Sequence, residues 1–459
     1  MNSQSKKMEL LGSTSIPKAL LAMGIPTMIG MLVNAFYNLV DAYFVGGLGE
    51  SQMGAISVVY PLGQVVVGLG LLFGNGAASY ISRLLGRGDK ENADKVASTA
   101  LYSSVSVGAV IILISMVFLH PILKLLGATD SILPYAATYA GIYIVSCIFN
   151  VFNVTMNNIV TSEGAAKTTM CALLTGAVLN IALDPLFIYV FDLGVAGAAI
   201  ATAISQVVST CVYLTYIFRK KSVFHFRVKD CTYAKETMSE IFKIGIPTLV
   251  FQILTSVSIS LINNAAGDYG DSAIAGMGVV TRLISMGSLS VFGFIKGFQP
   301  IAGYSYGAKK FDRLREAIKT SILWSTVFCV IFGVILALFP TAIVSQFTKG
   351  DAEMIRIGAA SLRANGISIM LFGFYTVYSS LFLALGKGRE GFILGACRQG
   401  ICFIPVILLL PIVWGLNGIM YAQPIADVLS AVITVFMAIP LHKKLNEMQR
   451  KTAEISPNN

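Results

Sequence analysis

Two carboxylates stand where a chain this apolar should have none. In NAFYNLVDAYFVGGLG, residues 34–49, Asp41 follows about twenty residues that read as one buried helix. In LNIALDPLF, Asp184 lies four residues after Asn180 and directly before Pro185. A charge at the centre of a membrane helix costs about 2.5–3.5 kcal/mol on insertion scales, so it is kept for a function or a partner. Buried carboxyl groups must be protonated, paired or ligated to a cation. On the first predicted helix Asn34, Tyr37 and Asp41 fall on one face, three, four and seven residues apart. Upstream, Pro26 removes a backbone donor and permits a bend. Asn180 and Asp184 share a face of the fifth helix, Thr202 lies on the sixth, and Tyr139 and Asn157 lie on the fourth. If these helices converge, the two carboxylates can carry H⁺, or bind Na⁺ with Asn and Thr oxygens as further ligands. The competing readings are structural. Asp41 would then only hydrogen-bond a neighbouring helix, and Asp184 would be a helix-end residue near the outer interface, with Asp192 close by.

The elements that must position these residues follow from composition. Of 459 residues, 55% are hydrophobic and 12% charged. A soluble chain keeps about 25% charged residues. Apolar stretches long enough to cross about 30 Å of hydrocarbon recur along the whole chain. They predict twelve helices at 16–45, 53–82, 96–124, 132–160, 168–191, 195–218, 240–266, 274–303, 316–343, 354–385, 390–413 and 417–441. No cleavable signal is expected before them, because the start is polar and the apolar run beyond it is too long. The seven Cys lack metal-ligand spacing and read as small apolar residues, and the three His lie near helix ends.

Charge separates the two sets of connections. RLLGRGDKENADK, TSEGAAKT, RKKSVFHFRVKD, YGAKKFDRLREAIK, GKGREG and the tail HKKLNEMQRK are charged, whereas the alternate connections hold chiefly Lys124, Lys349 and Arg356. The positive-inside rule therefore predicts both termini in the cytoplasm of a multi-pass membrane protein. It also accounts for the net charge of +10 without a nucleic-acid partner.

A shift of 221 residues superimposes the two halves. GIPT at 24–27 recurs at 245–248, GLGESQMGAISVV (47–59) faces DYGDSAIAGMGVV (268–280), and Gly76/Gly297 and Gly86/Gly307 stay in register. Six helices per half make the repeat parallel, about an axis along the membrane normal. The expected fold is an all-α membrane protein of two six-helix bundles. Its divisions are residues 1–218, a cytoplasmic linker at 219–239, residues 240–441 and a cytoplasmic tail at 442–459. Such paired lobes commonly enclose a central site and rock about it, so the architecture favours a secondary transporter.

The second half lacks the acids: Ile262 matches Asp41 and Pro405 matches Asp184. Its intramembrane charges are Arg282, Lys296, Arg398 and Asp427, with Asp427 expected to pair with a cation such as Arg398. Ion coupling is thus expected in the first half alone. No HExxH or GxxxxGK[ST] motif occurs, which argues against a zinc-dependent intramembrane enzyme and against ATP-driven transport by this chain alone.

In combination, GIPTMIGMLVNAFYNLVDAYFVGGLG, ISRLLGRGDKENA, TSEGAAKTT, LNIALDPLFIY and LGVAGAAIAT resemble the multidrug and toxic compound extrusion (MATE) transporters, in the DinF-like and MepA-like prokaryotic branch. The resemblance spans about residues 15–445. It implies a central cleft for organic cations or amphiphilic drugs, with export driven by inward H⁺ or Na⁺ and no cofactor. The family's ion network maps onto Asp41, Asn180, Asp184 and Thr202, with Na⁺ as a candidate occupant, and its polar cavity residues map onto Tyr37, Tyr139 and Asn157, beside Asn34. Pro26 maps onto a proposed hinge. The acids that NorM-like members carry on helices 7 and 10 are missing from those spans here except at the ends, where Asp351 and Glu353 precede the core of helix 10. The expected surroundings are a lipid bilayer and small-molecule substrates, with the chain acting as a monomer. The alternative within the superfamily is a lipid or polysaccharide-precursor flippase, which would want Arg282, Lys296 and Arg398 lining the cleft.

Overall fold

The computed structural model describes residues 3–348 and 350–455, so Lys349 and residues 456–459 of the expected tail lie outside the described residues. A hydrocarbon environment leaves backbone polar groups no partner but each other, which makes helices the default. Among the described residues, twelve helices are long and apolar enough to cross a membrane, and no strand occurs. In chain order the helices are α1 (Ser3–Gly12), α2 (Ile16–Gly46), α3 (Glu50–Gly86), α4 (Lys90–Val117), α5 (Leu119–Leu125), α6 (Leu133–Ser162), α7 (Ala166–Pro185) and α8 (Gly194–Phe218). The second half holds α9 (Lys235–Gly267), α10 (Asp271–Gly307), α11 (Phe311–Leu338), α12 (Pro340–Val344), α13 (Ala352–Ser368), α14 (Phe372–Ala384), α15 (Gly388–Ala396), α16 (Phe403–Trp414) and α17 (Leu416–Ile455). One span is divided into α13 and α14 by a 3₁₀ turn at Ile369–Leu371, another into α15 and α16 by a π turn at Cys397–Ile401.

With an even number of spans, both termini lie on one side, here called the terminus face. Several helices run further toward it than their apolar stretches predict: α3 ends at Gly86 rather than 82, α10 at Gly307 rather than 303, and α17 at Ile455 rather than 441. Charged residues such as Arg83 read as loop in the sequence, yet the helices continue through them.

The lobes meet through α2, α3, α9 and α10, and glycine sets their separation. A Cβ at Gly245 would lie 2.0 Å from the Leu72 carbonyl oxygen, and one at Gly76 would lie 2.3 Å from that of Ile241. The repeat-related contacts set Gly297 against the Met23–Gly24 backbone and Gly24 against the Phe294 ring. Further down, Gly86 meets the Tyr304 carbonyl while Gly307 meets that of Arg83, each at 2.1 Å from a would-be Cβ. Small residues let helix backbones approach where lipid offers no hydrophobic drive. Polar bonds join the same zone: Asn75 Nδ2 donates to Thr248 Oγ1 at 2.9 Å, Ser79 Oγ to the Leu383 carbonyl at 2.5 Å, and Arg83 pairs with Glu240 at 2.7 Å. All these approaches fall in the terminus-face half. Toward the other face, Phe36, Leu39, Tyr43, Tyr60, Ile253, Val257 and Met286 of the same four helices are exposed, and Gly54, Gly63, Gly276 and Gly287 meet residues of their own lobe instead. Gly245→Val is expected to force the seal apart. In a cysteine-free background, a cysteine placed at the buried Ser82 should then react several-fold faster with a water-soluble maleimide; an unchanged rate would mean that the seal does not rest on this contact.

The short α1, unforeseen from hydropathy, bridges the lobes on the terminus face. Lys7 pairs with the fully buried Glu163 at 3.2 Å, and Glu163 also accepts from the Tyr216 hydroxyl, from Ser222 Oγ at 2.9 Å and from the Val223 N–H at 2.6 Å. Burial pulls the Lys7 ammonium below its usual range, with Glu163 opposing that shift. At the other end of α1, Arg313 donates to the Leu10, Leu11 and Thr14 carbonyls and Lys310 to that of Gly12 at 2.8 Å. Two cations thus satisfy the carbonyls and the negative end of the helix dipole. In the repeat-related place the linker lies on the start of α4: the His225 N–H donates to Asp94 Oδ1 at 2.8 Å and the Thr232 N–H to Thr99 Oγ1 at 2.9 Å.

Candidate functional site

α2, α7 and α8 pack together within the first lobe, and this packing brings Asp41, Asn180, Asp184 and Thr202 into one cluster. Asp184 is fully buried on the last turn of α7, where Pro185 withholds a backbone donor and a π turn, Leu186–Val190, carries the chain on. The carboxyl groups of Asp41 and Asp184 are in hydrogen-bond contact. With its amide turned so that both ends are satisfied, Asn180 donates to Asp184 Oδ2 at 3.0 Å and accepts from the Thr202 N–H at 3.3 Å. The Thr202 hydroxyl lies 3.4 Å from the same amide. Asp184 thus sits on the last turn of α7 but is buried and bonded inside the lobe.

One observation decides what the cluster can do. Asp41 Oδ1 is buried and has no hydrogen-bond partner. Two carboxylates in contact cannot both stay ionised in a low-dielectric setting without a cation between them. No Lys or Arg makes an ion pair with either of them among the described residues. A proton shared by the pair satisfies this geometry. So does a hard cation taking oxygens from both acids, the Asn180 amide and the Thr202 hydroxyl.

The other predicted residues divide. Tyr37, one turn before Asp41, and the buried Tyr139 stand within electrostatic reach of Asp41, and Tyr139 stacks on Tyr143 with centroids 5.5 Å apart. Together they make an aromatic wall beside the acids. Asn34 is exposed and turned along α2, where its Oδ1 accepts from Asn38 Nδ2 at 2.9 Å. Asn157 is not brought to the cluster. It lies about 27 Å along α6 from Tyr139, at 1.5 Å per residue, and there it donates to the Tyr213 hydroxyl at 3.3 Å and accepts from Lys296 of the other lobe. Tyr37 and Tyr139 thus lie beside the acids, whereas Asn157 lies at the lobe junction with Lys296. Pro26 is buried in the interlobe seal, inside an α2 that stays helical from Ile16 to Gly46.

The second-lobe charges resolve separately. Arg398 Nε lies 3.1 Å from Asp427 Oδ1, and the Arg398 guanidinium sits 4.6 Å from the Phe372 ring centroid. Asp427 also accepts from Ser368, Tyr375 and Gln423 at 2.9, 3.1 and 2.9 Å. Arg282 is exposed on α10. Sequence reasoning missed the contacts of Arg83, Glu163 and Lys296, because each neighbours charged connections or lacks an acid at helical spacing.

Fold and site together define a two-lobed, twelve-span helical membrane protein with a carboxyl pair buried in one lobe. The MatE family model matches residues 26–186 and 247–409, two segments whose starts lie 221 residues apart, the period of the internal repeat. The chain belongs to the MatE family. It is 32% identical over 429 residues to the multidrug export protein MepA of Staphylococcus aureus, covering 93% of this chain and 94% of that one. Among solved structures it resembles a MATE protein in complex with MaL6, with TM-score 0.91 and 26% identity over 97% of this chain and 99% of the other. A multidrug resistance MATE transporter of the MOP superfamily in an outward-facing conformation gives TM-score 0.90 at 26% identity, over 97% and 99% of the two chains.

Proposed function

We propose that this protein is a secondary active exporter of organic cations and amphiphilic drugs, exchanging them for H⁺ or Na⁺ bound at Asp41 and Asp184. The observation that carries the reading is the buried carboxyl pair with the unpartnered Asp41 oxygen. The name of the similar staphylococcal protein, a multidrug export protein, supports the substrate class. The basic connections favour a terminus face on the cytoplasmic side of the inner membrane. The glycine seal then closes the cytoplasmic end, and the lobes open outward. In that state the acids meet external ions. An ion that neutralises the pair removes the negative charge that holds a cationic drug, so the drug leaves as the ion enters. Bending of α2 at Pro26 would carry this change to the seal, because Met23, Gly24 and Met28 on either side of it touch Gly297 and Gly293. The monomer holds every part of the mechanism.

The flippase alternative asked for several cations lining the cleft. Arg398 is neutralised by Asp427 inside the second lobe, which weakens that reading. The test is dye efflux from proteoliposomes holding the purified protein, under an imposed pH gradient and, separately, a Na⁺ gradient. Efflux above that of empty liposomes under one of the two is expected. Movement of labelled lipid between leaflets, with no dye efflux under either gradient, would replace the exporter by the flippase.

A further inference from the structure

Lys296 projects from α10 into the junction of the lobes, where its ammonium donates to Asn157 Oδ1 on α6. It makes no ion pair among the described residues; those present involve Lys7, Arg83, Lys95, Lys243, Arg356, Arg398 and His225. A small pocket opens beside it, lined by Ser79, Ser82, Asn158, Thr161 and Gln299 with no acid among them. A cation in a membrane span is costly unless a counter-charge arrives at some stage, and a neutral amide oxygen supplies only a partial one. Arg83 at the lobe junction and Arg398 inside the second lobe each have a carboxylate. Lys296 does not.

We infer that Lys296, with the hydroxyl and amide groups around it, is a recognition site for a carboxylate on the transported molecule. The site lies in the terminus-face half, so it opens toward that side when the seal parts. The ammonium then exchanges the Asn157 oxygen for a substrate carboxylate. One cation without a second beside it suits a monoanion better than a phosphate. The exporter would thus take zwitterions, amphiphiles with a cationic aromatic body and one carboxylate, alongside simple cations. This inference rests on the exporter reading for its transport consequence but not for binding.

The test uses a rhodamine with a free carboxyl group and the methyl ester of the same dye, which differ in that one charge. Binding to the purified full-length protein is read by fluorescence anisotropy, and efflux is read from proteoliposomes. A charge-assisted hydrogen bond of 1.5–3 kcal/mol predicts that Lys296→Gln weakens binding of the acid dye about tenfold or more. Binding of the ester should stay within about twofold, and Lys296→Arg should keep the preference of the unaltered protein for the acid. The inference is overturned if Lys296→Gln weakens both dyes equally, which would make the residue part of the seal only. It is also overturned if neither dye changes, or if the unaltered protein does not bind the acid. Absence of efflux of both dyes from the unaltered protein, with the binding difference intact, would instead count against the exporter reading.

Discussion

Asp41→Asn is expected to reduce gradient-driven dye efflux to the leak of empty liposomes while the purified protein still binds the dye. The substitution keeps the shape of the side chain and its hydrogen bond to Asp184, so packing among α2, α7 and α8 survives. What it removes is the second negative charge. An amide beside a single carboxylate imitates the neutralised pair permanently, and an ion gradient then has nothing to load. Exchange of labelled for unlabelled dye, which needs no net ion movement, should persist and would separate lost coupling from lost folding. Full gradient-driven efflux by Asp41→Asn would refute the coupling role. Asp184→Asn should act in the same direction with a smaller effect, because Asn180 still braces that position.

The second large effect belongs to stability. Asp427→Asn and Arg398→Gln should each cost about 3–5 kcal/mol, because each leaves one buried charge without its partner. The loss should be larger for Asp427, which also accepts from Ser368, Tyr375 and Gln423. Replacing both together, Asp427→Leu with Arg398→Met, should cost less than either single change, since an apolar pair of similar volume often equals or exceeds a buried ion pair. Thermal unfolding in detergent reads this order. If instead transport fell in all three variants with unfolding unchanged, the pair would be a second coupling site.

What could be read in advance follows from contrast. Asp41 and Asp184 stand out because their neighbours are apolar, and the i, i+4 spacing puts Asn180 beside Asp184 without any structure. The period of 221 residues was equally visible, because glycines that meet another backbone cannot be exchanged for larger residues. For Asn157 residue type suggests a cavity, but only the position along α6 shows which end of the bundle the residue serves. Glu163 and Arg83 were hidden by their company. Charges next to TSEGAAKT or RLLGRGDKENADK look solvated, and only the packed α1 and α9 reveal that they are buried or bonded across the lobes. α1 itself is too short and too polar for a membrane-hydropathy reading to register.

That short helix has a practical corollary. Its ten residues grip Glu163 in one half and Arg313 in the other, so the amino terminus works as a control lever on the pair of lobes. A fusion partner or affinity tag placed ahead of α1 tugs on both halves at once. One appended beyond α17 tugs on the second half alone, through Asn446 to Arg315 and Gln449 to Asp312. A tag ahead of α1 is therefore expected to disturb contacts to both halves, and one beyond α17 contacts to the second half alone.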